Sequence, residues 1–142
     1  MNPITVPASL DSLAVIRKCV ADAAGAAGLD KATGYGLQLA VDEIATNIIV
    51  HGYQEAGLSG NLHLLVEITG KILTIIIEDT GPAYDPRTHS MPDAEDLLKP
   101  LEEREIGGLG IYLAFQGVDQ FDYERVEDRN RNIFIVNRPA TD

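Results

Sequence analysis

The sequence predicts an α+β two-layer sandwich, with helices covering one face of a mostly antiparallel sheet. Three observations predict it. Leu37, Val41, Ile44 and Ile48 step by four, three and four residues, which makes one buried stripe along a helix. Leu62, Leu64, Val66 and Ile68 alternate with His63, Leu65, Glu67 and Thr69, the mark of a strand with one strongly apolar face. Along the chain the signals run strand, helix, helix, hairpin, loop, helix, hairpin, with no internal repeat and no linker.

The first strand covers residues 3–7, bracketed by Pro3 and Pro7, and the prolines assign it to a sheet edge. Ser9 is the expected cap of the helix that follows, whose apolar face is Leu10, Leu13, Ile16 and Val20. An Ala/Gly-rich stretch over residues 21–28 ends it. Asp30 is the next capping residue, and the helical pattern then runs to about Tyr53, closed by Gly52 and residues 55–57. After the alternating strand, Gly70-Lys71 reads as a two-residue hairpin turn of the glycine-first type. Residues 72–77 are apolar nearly throughout, as a central strand is. Residues 79–105 carry four prolines and many charges, the composition of an irregular binding loop or lid, with a helical turn expected at Leu97-Leu98. Gly107-Gly108-Leu109-Gly110 leads into a third helix over residues 111–117. A strand over 121–126, a polar turn over 127–131 and a last strand over 132–137 complete the chain.

At 142 residues the chain fits one domain, 1–142, and is long enough to bury a sizeable core. Cys19 is the single cysteine, so neither an internal disulfide nor a cysteine zinc cluster can form, and its apolar neighbours suit a buried structural thiol. Residues 1–10 carry no basic region and no long apolar run, and no stretch approaches the roughly 20 apolar residues of a membrane helix, so a cytoplasmic protein without membrane contact is expected. The net charge of −11 repels nucleic-acid phosphates and argues against direct nucleic-acid binding.

Three segments carry candidate chemistry. Glu43, Asn47 and His51 are four residues apart and share one side of the second helix, off the apolar stripe. Asn47 offers a neutral oxygen suited to Mg²⁺ bound together with substrate phosphates, and Glu43 could orient or deprotonate a hydroxyl or water. Taken alone, the three read better as the solvated residues of an ordinary amphipathic helix. Asp79, at the end of the buried strand, could accept a hydrogen bond from the exocyclic amine of a base, and Gly81 would let the backbone approach it. An Asp-x-Gly turn by itself is common. The amides of Gly107, Gly108, Leu109 and Gly110 before a helix favour an anion, and Arg104 just upstream could reach a phosphate, but the pattern is neither a Walker motif nor the dinucleotide fingerprint. His51, His63 and His89 lack the spacing of a metal cluster and read as scattered histidines. Residues 93–105 read as the solvated acidic surface of the lid.

Order and spacing together are more specific than any one segment. The Glu43-x-x-x-Asn47 helix, the Asp79-x-Gly81 loop and the Gly108-x-Gly110 loop resemble the three nucleotide boxes of the GHKL (histidine-kinase-like) ATPase superfamily. Within it, residues 4–9, 40–53, 79–86, 100–111 and 122–125 are similar to bacterial anti-sigma regulatory factors that are also serine-protein kinases, so that the resemblance spans nearly the whole chain. It implies a Bergerat-type fold, with a lid loop over about residues 86–106. It implies ATP and Mg²⁺ as ligands, with Asn47 on the Mg²⁺, Glu43 as the base that prepares the acceptor serine, and Asp79 on the adenine amine with Gly81 beneath the base. Gly107, Gly108, Leu109 and Gly110 would cradle the phosphates with Arg104 nearby. The partners it implies are a STAS-type anti-sigma antagonist and a sigma factor, and it implies a homodimer. Tyr84 stands where the family usually has phenylalanine, and Ile44 where alanine is usual. A second function stays open: a non-catalytic ATP- or ADP-sensing partner-switch module that transfers no phosphate.

Overall fold

The computed structural model describes residues 3–88 and 114–139. Among these residues, five strands form one sheet: β1 (Ile4–Pro7), β2 (Asn61–Ile68), β3 (Ile72–Asp79), β4 (Gln120–Val126) and β5 (Arg129–Asn137), in the order β1-β2-β3-β5-β4. Every described pairing is antiparallel. β3 is the middle strand, as its apolar run predicts, and β1, with proline at its end, lies on an edge. Two helices, α1 (Leu13–Ala26) and α2 (Lys31–Asn47), cover one face.

Alternation decides which side chains meet the helices. Leu62, Leu64 and Val66 of β2, Leu73, Ile75 and Ile77 of β3, and Phe134 and Val136 of β5 join one core with Ile16 and Val20 of α1 and with Leu37, Val41 and Ile44 of α2. Each such Leu, Ile, Val or Phe stabilises the fold by about 1.5–3 kcal/mol through burial. The core is therefore strong enough to carry a few buried polar groups: Asn130, Asn132, Glu78 and Asp79 all lie at the same end of the sheet. Glu78 points to the opposite sheet face, where Arg131 pairs with it and Arg129 lies 3.7 Å away.

Several local expectations are corrected. Leu10 is exposed, and residues 10–12 form a separate 3-10 turn before α1. The Ser9 side chain makes no cap bond; the Ser12 hydroxyl instead donates to Pro7 O at 2.6 Å and ties the helix start to the end of β1. The loop at Gly70-Lys71 does have two residues, yet Gly70 takes no left-handed φ. Thr69 supplies the turn, its Oγ1 accepting from Lys71 N and Ile72 N, so glycine's freedom is not what closes it. β5 begins at Arg129, three residues earlier than expected, because the turn is only Glu127-Asp128, with Glu127 at φ 57°. Asp30 caps α2 as predicted, its carboxylate accepting from Thr33 N at 2.7 Å. Cys19 is half-buried, and burial, then the Asp22 charge, pushes its thiol up, which keeps it protonated and weakly nucleophilic.

The helical run does continue past Asn47, but as a π-helical segment over Ile48–Gln54. Its wider ring is visible in Glu55 N donating to Val50 O, five residues back. Gly57, at φ 69°, then ends it. No helix of the described residues is long and apolar enough to cross a membrane.

Candidate nucleotide site

Asp79 ends the central strand and is 3% exposed. Its Oδ2 accepts from Tyr53 Oη at 2.7 Å, Gly81 N at 3.0 Å and Asn130 Nδ2 at 3.3 Å. Its Oδ1 is buried and has no hydrogen-bond partner among the described residues. A buried carboxylate oxygen without a donor costs free energy, so one oxygen is saturated and the other is an acceptor in need of a donor. An exocyclic amine would supply it. Gly81 packs directly on this pair, since a Cβ there would lie 2.9 Å from Asp79 Oδ2 and 3.0 Å from Tyr53 Oη. Two residues along β5 from Asn130, Asn132 is fully buried and neither of its amide atoms has a partner among the described residues. Unpaired polar groups gathered at one end of a sheet fit a polar, planar ligand edge better than they fit a packed core.

The π-helical segment is what links this strand end to the helix. It delivers Tyr53, 2% exposed, to Asp79. Burial first, then the Asp79 hydrogen bond and charge, pushes the Tyr53 hydroxyl well above its ordinary value, so it stays a donor at any physiological pH. Six residues earlier on the same run, Asn47 is 6% exposed and its Nδ2 donates to Glu43 O at 2.8 Å. It is therefore no solvated residue. With Nδ2 committed, Oδ1 is the end it would offer to a cation, and a neutral amide oxygen fits Mg²⁺. Glu43 is half-buried, and burial, followed by the neighbouring Asp42 charge, raises its carboxyl while Asn47 hydrogen bonding opposes the shift. Asp42 itself is held by Arg17 of α1 at 2.7 Å. His51 pairs with Glu55 at 2.9 Å and lies beside Tyr84, ring centroids 6.4 Å apart.

The segment after Asp79 is fastened from the β4–β5 hairpin. Arg125 Nη1 donates to Gly81 O at 2.8 Å. Asn130 Nδ2 donates to Pro82 O at 2.9 Å, and Asn130 Oδ1 accepts from Tyr84 N at 3.2 Å. Arg87 forks onto Asp85 and lies 6.0 Å from the Tyr123 ring centroid.

The structure thus brings Asn47 onto Glu43 and Gly81 onto Asp79, with Tyr53 bonded to Asp79. Arg104, Gly107, Gly108, Leu109 and Gly110 lie outside the described residues, as do His89, the Leu97-Leu98 turn and most of the expected lid. Sequence reasoning missed Tyr53, Arg125 and Asn130. A signal existed for the last: extended backwards, the alternation of Phe134 and Val136 puts Asn132 and Asn130 on the core face, and a buried polar position is informative where a buried apolar one is not.

Residues 6–136 match the histidine kinase-like ATPase domain family. Among curated proteins, the chain is 29% identical over 132 residues to the serine-protein kinase RsbW of Bacillus cereus strain AH187, covering 92% of this chain and 80% of that protein. A Bacillus anthracis protein of the same name matches to the same extent. The serine-protein kinase RsbW of Halalkalibacterium halodurans is 30% identical over 112 residues, 78% of this chain and 67% of that one. The fold and these matches agree: the chain belongs to the histidine kinase-like ATPase domain family.

Proposed function

We propose that residues 1–142 form one ATP-binding domain of a serine/threonine protein kinase, which transfers the γ-phosphoryl group of ATP to a STAS-type anti-sigma antagonist and, as a partner switch, also binds a sigma factor. The observation that supports nucleotide binding is Asp79, buried, with one oxygen saturated and the other unpartnered among the described residues. Adenine's amine is the donor that oxygen takes.

Glu43 favours a kinase over a sensor. A carboxyl lifted by burial and by Asp42 is a better proton acceptor than an ordinary surface glutamate. In the transfer it takes the proton of the acceptor hydroxyl, whose oxygen bonds to the γ-phosphorus while the bond to the ADP oxygen breaks. Asn47 would hold Mg²⁺, which supplies charge neutralisation at the phosphates. Arg104 and the amides of Gly107, Gly108, Leu109 and Gly110 are the proposed phosphate cradle, and residues 86–106 the proposed lid. A cytoplasmic location and a homodimer are part of the same reading.

The test is transfer of labelled phosphate from Mg-ATP to a STAS-type antagonist. Glu43→Ala should keep nucleotide affinity and lose transfer by about 10²–10⁴-fold, the usual contribution of a general base. Unchanged transfer removes Glu43 from that role. Tight nucleotide binding with no transfer by the wild type supports a sensing module instead.

A further inference from the structure

Asn130 lies directly opposite Asp79 in the β3–β5 pairing and is 2% exposed. An asparagine side chain has two N–H donors and two carbonyl lone pairs. Here all are engaged. Nδ2 faces Asp79 Oδ2 at 3.3 Å, Gly81 O at 3.3 Å and Pro82 O at 2.9 Å. Oδ1 accepts from Tyr84 N at 3.2 Å and from Tyr123 Oη. The orientation of the amide is unambiguous, because a backbone N–H can only donate and the two carbonyls can only accept.

One side chain therefore ties the carboxylate to three residues of the segment that follows it, Gly81, Pro82 and Tyr84. The consequence for Asp79 is specific. Three donors, from Tyr53, Gly81 and Asn130, converge on Oδ2, and none reaches Oδ1. The three bonds together hold the plane and tilt of the carboxylate, and hence the direction in which Oδ1 points.

We propose that Asn130 is the positioning residue that makes the site selective for the base: it locks Asp79 so that a single acceptor, Oδ1, faces the ligand, and it holds Gly81–Tyr84 in place around it. This rests on the reading that Asp79 takes the amine of adenine. A locked acceptor pairs with a 6-amino group and repels a 6-oxo group, which is itself an acceptor, so the purine's sixth position is read by charge and direction together. Were the carboxylate free to tilt, Oδ1 would leave the line of the 6-amino group and the distinction would weaken. Asn130 touches no base; it acts through Asp79.

The experiment compares the dissociation constants of ATP and ITP, which differ only in the 6-amino and 6-oxo groups, for the wild type, Asn130→Ala and Asn130→Asp. Asn130→Asp keeps the shape and the acceptor for Tyr84 N, and replaces the donor by an oxygen facing Asp79. Circular dichroism and thermal melting establish that each variant is folded. The wild type should prefer ATP. In both variants ATP binding should weaken by roughly ten- to hundredfold, the loss expected for a hydrogen bond to a charged group, while ITP binding changes by less than about threefold. A loss of packing alone would weaken both nucleotides together and leave the ratio unmoved. An unchanged ATP/ITP ratio in a folded variant overturns the role of Asn130 and leaves the nucleotide reading standing. Absence of ATP binding by the wild type overturns both.

Discussion

Tyr53 and Asp79, twenty-six residues apart, are joined by a buried 2.7 Å hydrogen bond in which the phenol donates to the carboxylate. It connects the end of the helical run that carries Glu43 and Asn47 to the end of the central strand. The bond ties the helical run to the strand end, and removing the hydroxyl tests what it contributes.

Tyr53→Phe should lose about 1.5–3 kcal/mol in urea unfolding, since the lost bond is to a buried charge. The variant should also change the alkaline limb of the stability curve. The Tyr53 hydroxyl is held well above its ordinary value of 10.0, and Tyr84 is pushed up to about 12 by burial and then by the Glu55 charge. Above pH 10 the unfolded chain sheds protons that these native tyrosines keep, so stability falls with rising pH, by about 1.4 kcal/mol per pH unit for each tyrosine. The fall from pH 10 to 12 should be shallower in Tyr53→Phe; identical slopes would contradict the protonated Tyr53–Asp79 pair.

Glu43→Gln should be as stable as the wild type, or more so, at pH 7. The native carboxyl is raised, so its favourable contribution is present in acid and lost as pH rises through its folded value. Above that point the charged side chain is a cost the glutamine avoids. Thermal melting at pH 4 and pH 7 checks this: the advantage of the variant should grow with pH. A wild type that is the more stable at pH 7 would show that Glu43 sits in a favourable electrostatic site, ill-suited to a base.

Glycine substitutions separate close packing from ligand approach. A Cβ on Gly117 would lie 2.5 Å from Gly36 O, backbone against backbone, so Gly117→Ala should destabilise by about 1–3 kcal/mol. Gly25, in α1, meets nothing within 4 Å, and Gly25→Ala should stabilise by about 0.5–1 kcal/mol. Chemical denaturation of both gives opposite signs if the helix packing is as described. Gly81→Ala should cost nucleotide affinity as well as stability, because its Cβ would displace Tyr53 Oη from Asp79.

Much of this fold is written in periodicity. The α2 stripe and the β2 alternation were legible because each meets a single core face, and a one-residue error would turn apolar groups outward. The π-helical segment was not, since its wider turn leaves composition unchanged. The start of β5 was hidden by Arg129 and Arg131, whose charges read as a turn but are matched on the outer sheet face by Glu78 and Glu124. At the site, Asp79 and Asn47 were legible as types of donor and acceptor. That Asp79 keeps one oxygen unpartnered depends on Tyr53 and Asn130, from distant parts of the chain, and no local pattern encodes it.

The most direct measurement is isothermal titration of the protein with Mg-ATP, beside Asn47→Ala and Asp79→Asn variants that melt as the wild type does. The account predicts saturable binding by the wild type, with affinity lost in both variants, because one ligand spans the helix and the strand end. No binding by a folded wild type, or equal binding by all three proteins, would contradict a nucleotide site built on Asn47 and Asp79.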